Sequence, residues 1–330
     1  MERIENNVSF YAELIKNNLV RKTNTSGVET IYGNLICRAS DGTEQPINVY
    51  CEEVRSRWVN GVKEYTNEEN KVFKGLSTVA TYQGKDVNPN ETIILHSNSA
   101  NLKCNDYVNN KGDLSNILQI SANFITSNKA LSKNEDLSFK FTVNGIIENM
   151  KKEFDKNDQP TGNLLIDFLV LTTKGGWGYN SVAELNSCFP MELLVPQNLA
   201  EAFTKAGYYE GCYATLSGNM VNTKTETKEV EKMAFGEDNV KIVTSYKRAN
   251  EVTSGKSPKA LNEIGITKAQ IDALKNKRDV ALKQLLNEGY KGSKTSTAST
   301  TQANPFGNNS TTEAVNPFGG SEMAFNPFVS

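Results

Sequence analysis

The 330 residues carry 36 Lys and Arg against 38 Asp and Glu, a formal net charge of −2, and 38% of them are hydrophobic. That length allows two ordinary domains plus extra segments, and the charge balance excludes a strongly basic chain that would hold a polyanion by bulk charge alone. Five cysteines form no CxxC pair, and one histidine, His96, cannot build a multi-histidine zinc centre; no metal or cofactor is expected, and the thiols read as small hydrophobes of a reduced compartment.

Charge is unevenly spread. Residues 1–255 carry a net −5, residues 256–294 a net +5, and residues 295–330 only Glu313 and Glu322. The most basic segment therefore lies outside the two long β-patterned stretches.

In chain order, Val8, Tyr11, Ile15 and Leu19 have helical spacing, which predicts a short amphipathic helix over Asn6 to Val20 within a lead-in of residues 1–26. Residues 27–127 read as a first β-rich domain. Ile31–Arg38 and Ile47–Val54 flank an Asp41-Gly42 turn, and in the second run Ile47, Val49 and Cys51 alternate with Asn48, Tyr50 and Glu52. A helix is expected around Lys71–Tyr82, then strands at Ala100–Val108 and Ile117–Thr126. Residues 137–255 read as a second such domain, with strands at Phe139–Met150, Asn163–Thr173 and Cys188–Val195. A helix over Gln197–Ala206 lies between Pro196 and Gly207, and strands follow at Tyr209–Asn222 and Val240–Glu251. Three strands, a helix and two strands is the element order of an oligonucleotide-binding (OB) barrel.

The two stretches echo each other at nearly constant offset. Gly33-Asn-Leu-Ile36 matches Gly145-Ile-Ile147, Gln45-Pro46 recurs at Gln159-Pro160, and Leu118–Phe124 pairs with Val240–Tyr246 as a final strand. The expected fold is mainly β: two tandem OB-like barrels, a C-terminal helical segment and a disordered tail. The basic helical segment spans residues 256–290, breaks at Gly265, restarts with the capping-box spacing Thr267–Gln270 and stops at Gly289. Residues 291–330 are Ser/Thr/Asn/Gly-rich, too poor in apolar residues to fold, and carry three Asn-Pro-Phe copies ending at Phe306, Phe318 and Phe328.

No P-loop, GxGxxG, GxSxG or HExxH pattern is present, so the expectation is a protein that is not an enzyme. Cations beside aromatic rings offer a different chemistry, because a nucleic-acid strand presents phosphates to neutralise and bases to stack. Arg55, Arg57, Trp58, Lys63 and Tyr65 lie within eleven residues at a strand end, with Tyr50 facing outward just before them. Lys174, Trp177 and Tyr179 share a glycine-rich loop; Tyr246, Lys247 and Arg248 end the last strand, and Arg38 ends an early one. Phe124, Phe168 and Tyr213, in apolar text, are expected in the core.

Tyr209-Glu-Gly-Cys-Tyr-Ala-Thr-Leu-Ser-Gly-Asn-Met220 and Asn105-Asp-Tyr-Val108 look like the fourth strand of OB-folds. Taken over residues 27–255, with a basic linker and a tail ending in an aromatic motif, the chain resembles bacteriophage-type single-stranded DNA-binding proteins. That resemblance implies a non-catalytic protein that holds single-stranded DNA during replication or recombination and recruits a protein partner through its tail. The same features suit RNA. Phe328 is followed by Val329-Ser330 and the tail is barely acidic, which departs from the usual recruiting tail of such proteins. The repeated Asn-Pro-Phe also resembles the ligands of endocytic EH domains. No run of about 18 apolar residues marks a membrane helix, and the charged N-terminus lacks a secretory core, so a cytoplasmic location (host cytoplasm for a viral protein) and no membrane partner are expected. Two other readings suit the sequence: a structural or scaffolding β-protein of a virion or assembly, and an adaptor working through its Asn-Pro-Phe tail.

Overall fold

The computed structural model describes residues 4, 6–60, 62–127, 136–174, 184–233, 235 and 239–289. The chain opens with a strand, β1 (Asn6–Asn17), in which Val8, Phe10, Ala12 and Leu14 are buried and their neighbours only half-buried. This corrects the helix expected over Asn6 to Val20. Val8, Tyr11, Ile15 and Leu19 do share helical spacing, but the core takes up the set with period two. Both edges of the strand also find partners. One edge bonds β10 (Ser138–Phe154) and then β3 (Glu29–Arg38), and the other bonds β7 (Ile94–Val108).

The first five-stranded set is β1, β3, β4 (Glu44–Glu52), β7 and β8 (Leu114–Ser121). Antiparallel pairs join β1 to β3, β3 to β4, β8 to β7 and β7 back to β1, and a parallel pair joins β4 to β8. The order 1-2-3-5-4-1 closes the sheet on itself and leaves no free edge. Four short pieces decorate it: β2 (Val20–Thr23) beside β3, a separate hairpin of β5 (Val54–Val59) and β6 (Val62–Glu69), helix α1 (Lys71–Val79), and β9 (Thr126–Ser127) beside β7. Asn70 caps α1 by accepting a hydrogen bond from the Val72 N–H, and Phe73, Leu76 and Val79 turn its apolar face onto the barrel.

The second set repeats the order with β10, β11 (Pro160–Lys174), β12 (Glu184–Val195), β13 (Tyr213–Glu231) and β14 (Asn239–Gly255), and helix α2 (Gln197–Lys205) sits between its third and fourth strands. Its parallel closure is the single pair Leu194↔Glu251. A five-stranded Greek-key barrel in this order is the OB-fold, so the chain is mainly β, with two such barrels joined first strand to first strand through β1 and β10. Phe10 and Phe139 face each other across that seam with ring centroids 5.7 Å apart, and one buried cluster runs through both interiors.

The repeat is real, but two of its expected echoes are not. Gly33 lies in a second strand and Gly145 in a first; Gln45-Pro46 lies in a third strand and Gln159-Pro160 at the head of a second. With β1 as the first strand of the first barrel, that correspondence is displaced by one strand. Helices opening at Lys71 and Gln197, and last strands opening at Leu114 and Asn239, give the true spacing of about 125 residues. Close packing requires glycine at several positions, Gly33 and Gly218 among them. Gly33 has φ 131°, and a Cβ there would lie 2.3 Å from the Asn18 carbonyl oxygen; at Gly218 it would lie 1.9 Å from that of Glu251.

After β14, a 3-10 turn (Leu261–Ile264) ends at Gly265, and α3 (Lys268–Glu288) starts with the expected capping box between Thr267 and Gln270. α3 lies on the outside of the second barrel. Ile271 and Leu274 pack with Ile264 and Ile266 against Ile146, Leu169, Leu171, Cys188 and Tyr213, making a second, smaller core. Among the described residues no helix is long and apolar enough to cross a membrane.

Candidate nucleic-acid interface

The outer face of β3 and β4 is built by strand alternation. Buried Ile31, Leu35 and Cys37 point inward with Ile47, Val49 and Cys51, which leaves Tyr32, Asn34 and Ile36 outside with Pro46, Asn48 and Tyr50. The register sets Tyr32 directly opposite Tyr50 and Asn34 opposite Asn48, the separation at which cross-strand rings interact. Beside them on β8, Ser121 aligns with Asn48. Just past β8, the Asn123 side-chain oxygen accepts from the Tyr50 N–H at 3.4 Å, and the next residue, Phe124, is 58% exposed. Phe124 thus corrects the expectation of a core residue: β8 ends at Ser121, so it falls outside the barrel's alternation. Phe168 and Tyr213 are buried as expected. Tyr32 was missed in the sequence, because Gly33 and Asn34 beside it hide the alternation; its pairing with Tyr50 was the signal.

The β5–β6 hairpin rises from the end of this face. Val59 pairs with Val62 across Asn60-Gly61, and Asn60 takes φ 51°, the conformation an Asn-Gly hairpin turn demands. Arg57 meets Glu64 at 3.3 Å and Arg55 meets Glu68 at 3.5 Å, both pairs well exposed. Such surface pairs contribute about 0–1 kcal/mol, so an arriving phosphate can replace either carboxylate. Lys63 is different. Its Nζ lies 2.5 Å from Oε1 of buried Glu52, which also accepts from the Tyr50 hydroxyl at 2.8 Å and the Tyr65 hydroxyl at 3.2 Å. Burial alone would raise the Glu52 pKa, but hydrogen bonds from Lys63, Tyr50 and Tyr65 outweigh it and hold the carboxyl below its usual range. Lys63 is likewise lowered by burial but raised more by Glu52, and ends above its ordinary value. Asn24 donates to the Tyr65 hydroxyl at 2.8 Å, and Lys63 stands 5.2 Å from the Tyr65 ring centroid. Lys63, Tyr65 and Glu52 therefore anchor the hairpin to the barrel and hold Tyr50 in place. Trp58 stands opposite Lys63 in the register; its side chain, like that of Tyr246, lies outside the described residues.

The remaining candidates are not brought to this face as a group. Arg38 closes the far end of β3 against Glu44 at 2.5 Å. Lys174 ends β11 against Glu184 at 3.8 Å, while Trp177 and Tyr179 lie outside the described residues. Lys247 pairs with Glu251 at 2.6 Å, and exposed Arg248 stands opposite Asn222, both on the β13–β14 ribbon. Phe306, Phe318 and Phe328 lie outside the described residues. Among the described residues no group of three or more His, Cys, Asp or Glu is placed to hold a metal.

The second barrel presents a different surface. On the outside of its second and third strands, Asp167 stands directly opposite Glu192, Leu169 opposite Pro190 and Leu171 opposite Cys188. α3 covers Leu169, Leu171 and Cys188. It is pinned by Lys275 to Glu148, by Lys277 donating to the Asn186 carbonyl at 3.2 Å, and by Arg278 to Asp106 of the first barrel at 2.5 Å. Where the barrels meet, a trough of about 660 Å³ includes Lys140, Thr142 and Ser217, with Asp41, Asp136 and Glu251 also in its wall.

The strand order and this surface define the class, a β-protein of paired OB-type barrels with an aromatic, amide-bearing face on the first. The chain belongs to the YorF family, which it matches over residues 5–288. No curated protein matches it in sequence. Among solved structures it is similar to the wild-type single-stranded DNA-binding protein of Thermus aquaticus, at 10% identity and TM-score 0.40, covering 77% of this chain and 93% of that one. A deletion mutant of the same protein gives 12% identity and TM-score 0.39, covering 78% and 97%. The assignment of fold rests on the strand pairing, not on this distant likeness.

Proposed function

We propose that this protein is a non-catalytic binder of single-stranded nucleic acid, single-stranded DNA in the first instance, acting in replication or recombination. The observation that carries the reading is the Tyr32–Tyr50 pair on the outer face of β3 and β4, Tyr50 exposed and Tyr32 half-buried, beside a hairpin bearing Arg55 and Arg57. OB barrels engage oligonucleotides on their second and third strands and adjoining loops, and a base stacked on an aromatic ring contributes about 1–3 kcal/mol without sequence preference. Asn34, Asn48 and Ser121 supply donors and acceptors for base edges or sugars on the same face. In this reading residues up to about 127 form the binding domain, residues 137–255 a second barrel domain, and the Asn-Pro-Phe tail recruits a protein partner, its three copies raising effective concentration at a multivalent target.

Fluorescence anisotropy of a labelled oligothymidine, titrated with the full chain at two salt concentrations, tests the reading. Micromolar or tighter binding that Tyr50→Ala weakens tenfold or more is expected. Absence of binding at both salt concentrations would end it.

A self-assembling structural role is the second reading, favoured by the exposed apolar residues Phe235, Val240 and Ile242 toward the end of the β13–β14 ribbon. Light scattering that shows regular assembly without nucleic acid would support it.

A further inference from the structure

The two barrels share a strand order but not a surface, and we infer that they are functionally unequal: the first barrel alone engages a strand, while α3 has turned the corresponding face of the second into packed core. This inference rests on the reading given under Proposed function and sets its footprint.

Three observations carry it. The first is coverage. Leu169, Leu171 and Cys188, on the outside of β11 and β12, are buried under Ile271 and Leu274 of α3 and under Ile264 and Ile266. These are apolar side chains packed on apolar side chains, so among the described residues a base would find neither an exposed aromatic plane nor open space there. The second is charge. The part of the face that α3 leaves open carries Asp167 directly opposite Glu192, where the first barrel has Asn34 opposite Asn48 or Tyr32 opposite Tyr50. Asp167 draws Lys151 at 3.3 Å and Asn149 at 3.0 Å to itself, and Glu192 remains exposed. With Lys151 balancing Asp167, the exposed Glu192 leaves this position net negative, which repels a phosphate backbone. The third is the fixing of α3. Its Arg278 reaches past the second barrel to Asp106 on β7 of the first, both side chains only 17% exposed, and donates toward the Cys104 sulfur as well. The helix is thus a brace between barrels, and lifting it would break a largely buried ion pair.

The consequence is a short footprint. One OB barrel covers about 4–16 nucleotides, and the second barrel adds no second step.

The test uses the full chain and oligothymidines of graded length, read by anisotropy, together with hydrogen exchange of the complex. Affinity is expected to rise with length to one plateau within that one-barrel range. Tyr50→Ala and Phe124→Ala should each weaken binding about tenfold or more, while Lys174→Ala and Glu192→Gln, on the second barrel, should stay within about twofold of wild type. Amides of β3 and β4 should gain protection on binding, and those of β11 and β12 should not. A second rise in affinity at about twice the length, new protection of β11 and β12, or a comparable loss in Lys174→Ala would overturn the inequality while leaving strand binding intact. If the wild-type chain binds no oligothymidine, the functional reading falls and this inference falls with it.

Discussion

Glu52 is the residue on which the proposed interface depends, because one buried carboxylate holds Lys63, Tyr50 and Tyr65 together. Its folded pKa lies below its unfolded value. The stabilisation it supplies is therefore fully present above the unfolded carboxylate pKa and is lost as pH falls through the folded one. Lys63, raised in the folded state, contributes below the ordinary lysine value and loses that contribution only as pH rises through its folded pKa. Glu52→Gln should lower stability at neutral pH by about 2 kcal/mol, since it leaves a half-buried ammonium without its charge partner, and should flatten the acid limb of the Tm-versus-pH curve measured by circular dichroism. Gly218 offers a second test at this scale. A methyl group 1.9 Å from the Glu251 carbonyl oxygen must push β13 away from β14, so Gly218→Ala is expected to cost about 1–3 kcal/mol or more, as in overpacked cores, read as a drop in the urea midpoint. The cysteines are poor nucleophiles for the same reason that they pack well: burial pushes the Cys51 and Cys104 thiols up to about 11. Both should react slowly with a thiol reagent at neutral pH until the chain unfolds.

Among the elements, α3 was legible in most of its detail and β1 in almost none. Thr267, Gln270 and Gly289 are local signals: a hydroxyl and an amide three residues apart satisfy each other's backbone donors, and glycine ends the last turn. These signals act within a few residues, so they survive whatever surrounds them. β1 carries two periodicities at once, and only neighbours on both edges choose between them. Thr267→Ala should cost about 1 kcal/mol through the lost cap. Arg278→Ala should cost more, about 3–5 kcal/mol, because it strands Asp106 in a largely buried setting. A double-mutant cycle with Asp106→Asn would show whether the pair, and not helix packing, carries that cost.

At the scale of the whole molecule, the distribution of charge sets the salt response. Lys63 is held by buried Glu52, whereas Arg55 and Arg57 lie beside the aromatic face in exposed pairs that a phosphate displaces at small cost; Arg38, Lys174 and Lys247 sit in exposed pairs away from that face. With about two or three phosphates neutralised, the slope of log K against log salt for a single strand should lie near about −1.5 to −2. A slope steeper than about −5 would mean that a larger basic surface contributes.

By itself the sequence determined the β-rich composition, the helices near residues 71–82 and 197–206, the final strands of both halves and the capped C-terminal helix. Each is written in alternation, capping residues or turn residues, which act over a few positions. It also singled out Tyr50, Arg55 and Arg57 as candidates for the proposed interface. Only the tertiary structure decided that the first strand is a strand and which strands correspond between the halves. It also placed Tyr32 opposite Tyr50, closed the outer face of the second barrel with α3, and tied Lys63 to Glu52. Those facts depend on register, on which edge finds a partner and on what a distant segment covers. Such contacts join residues far apart in the chain, so no local pattern records them.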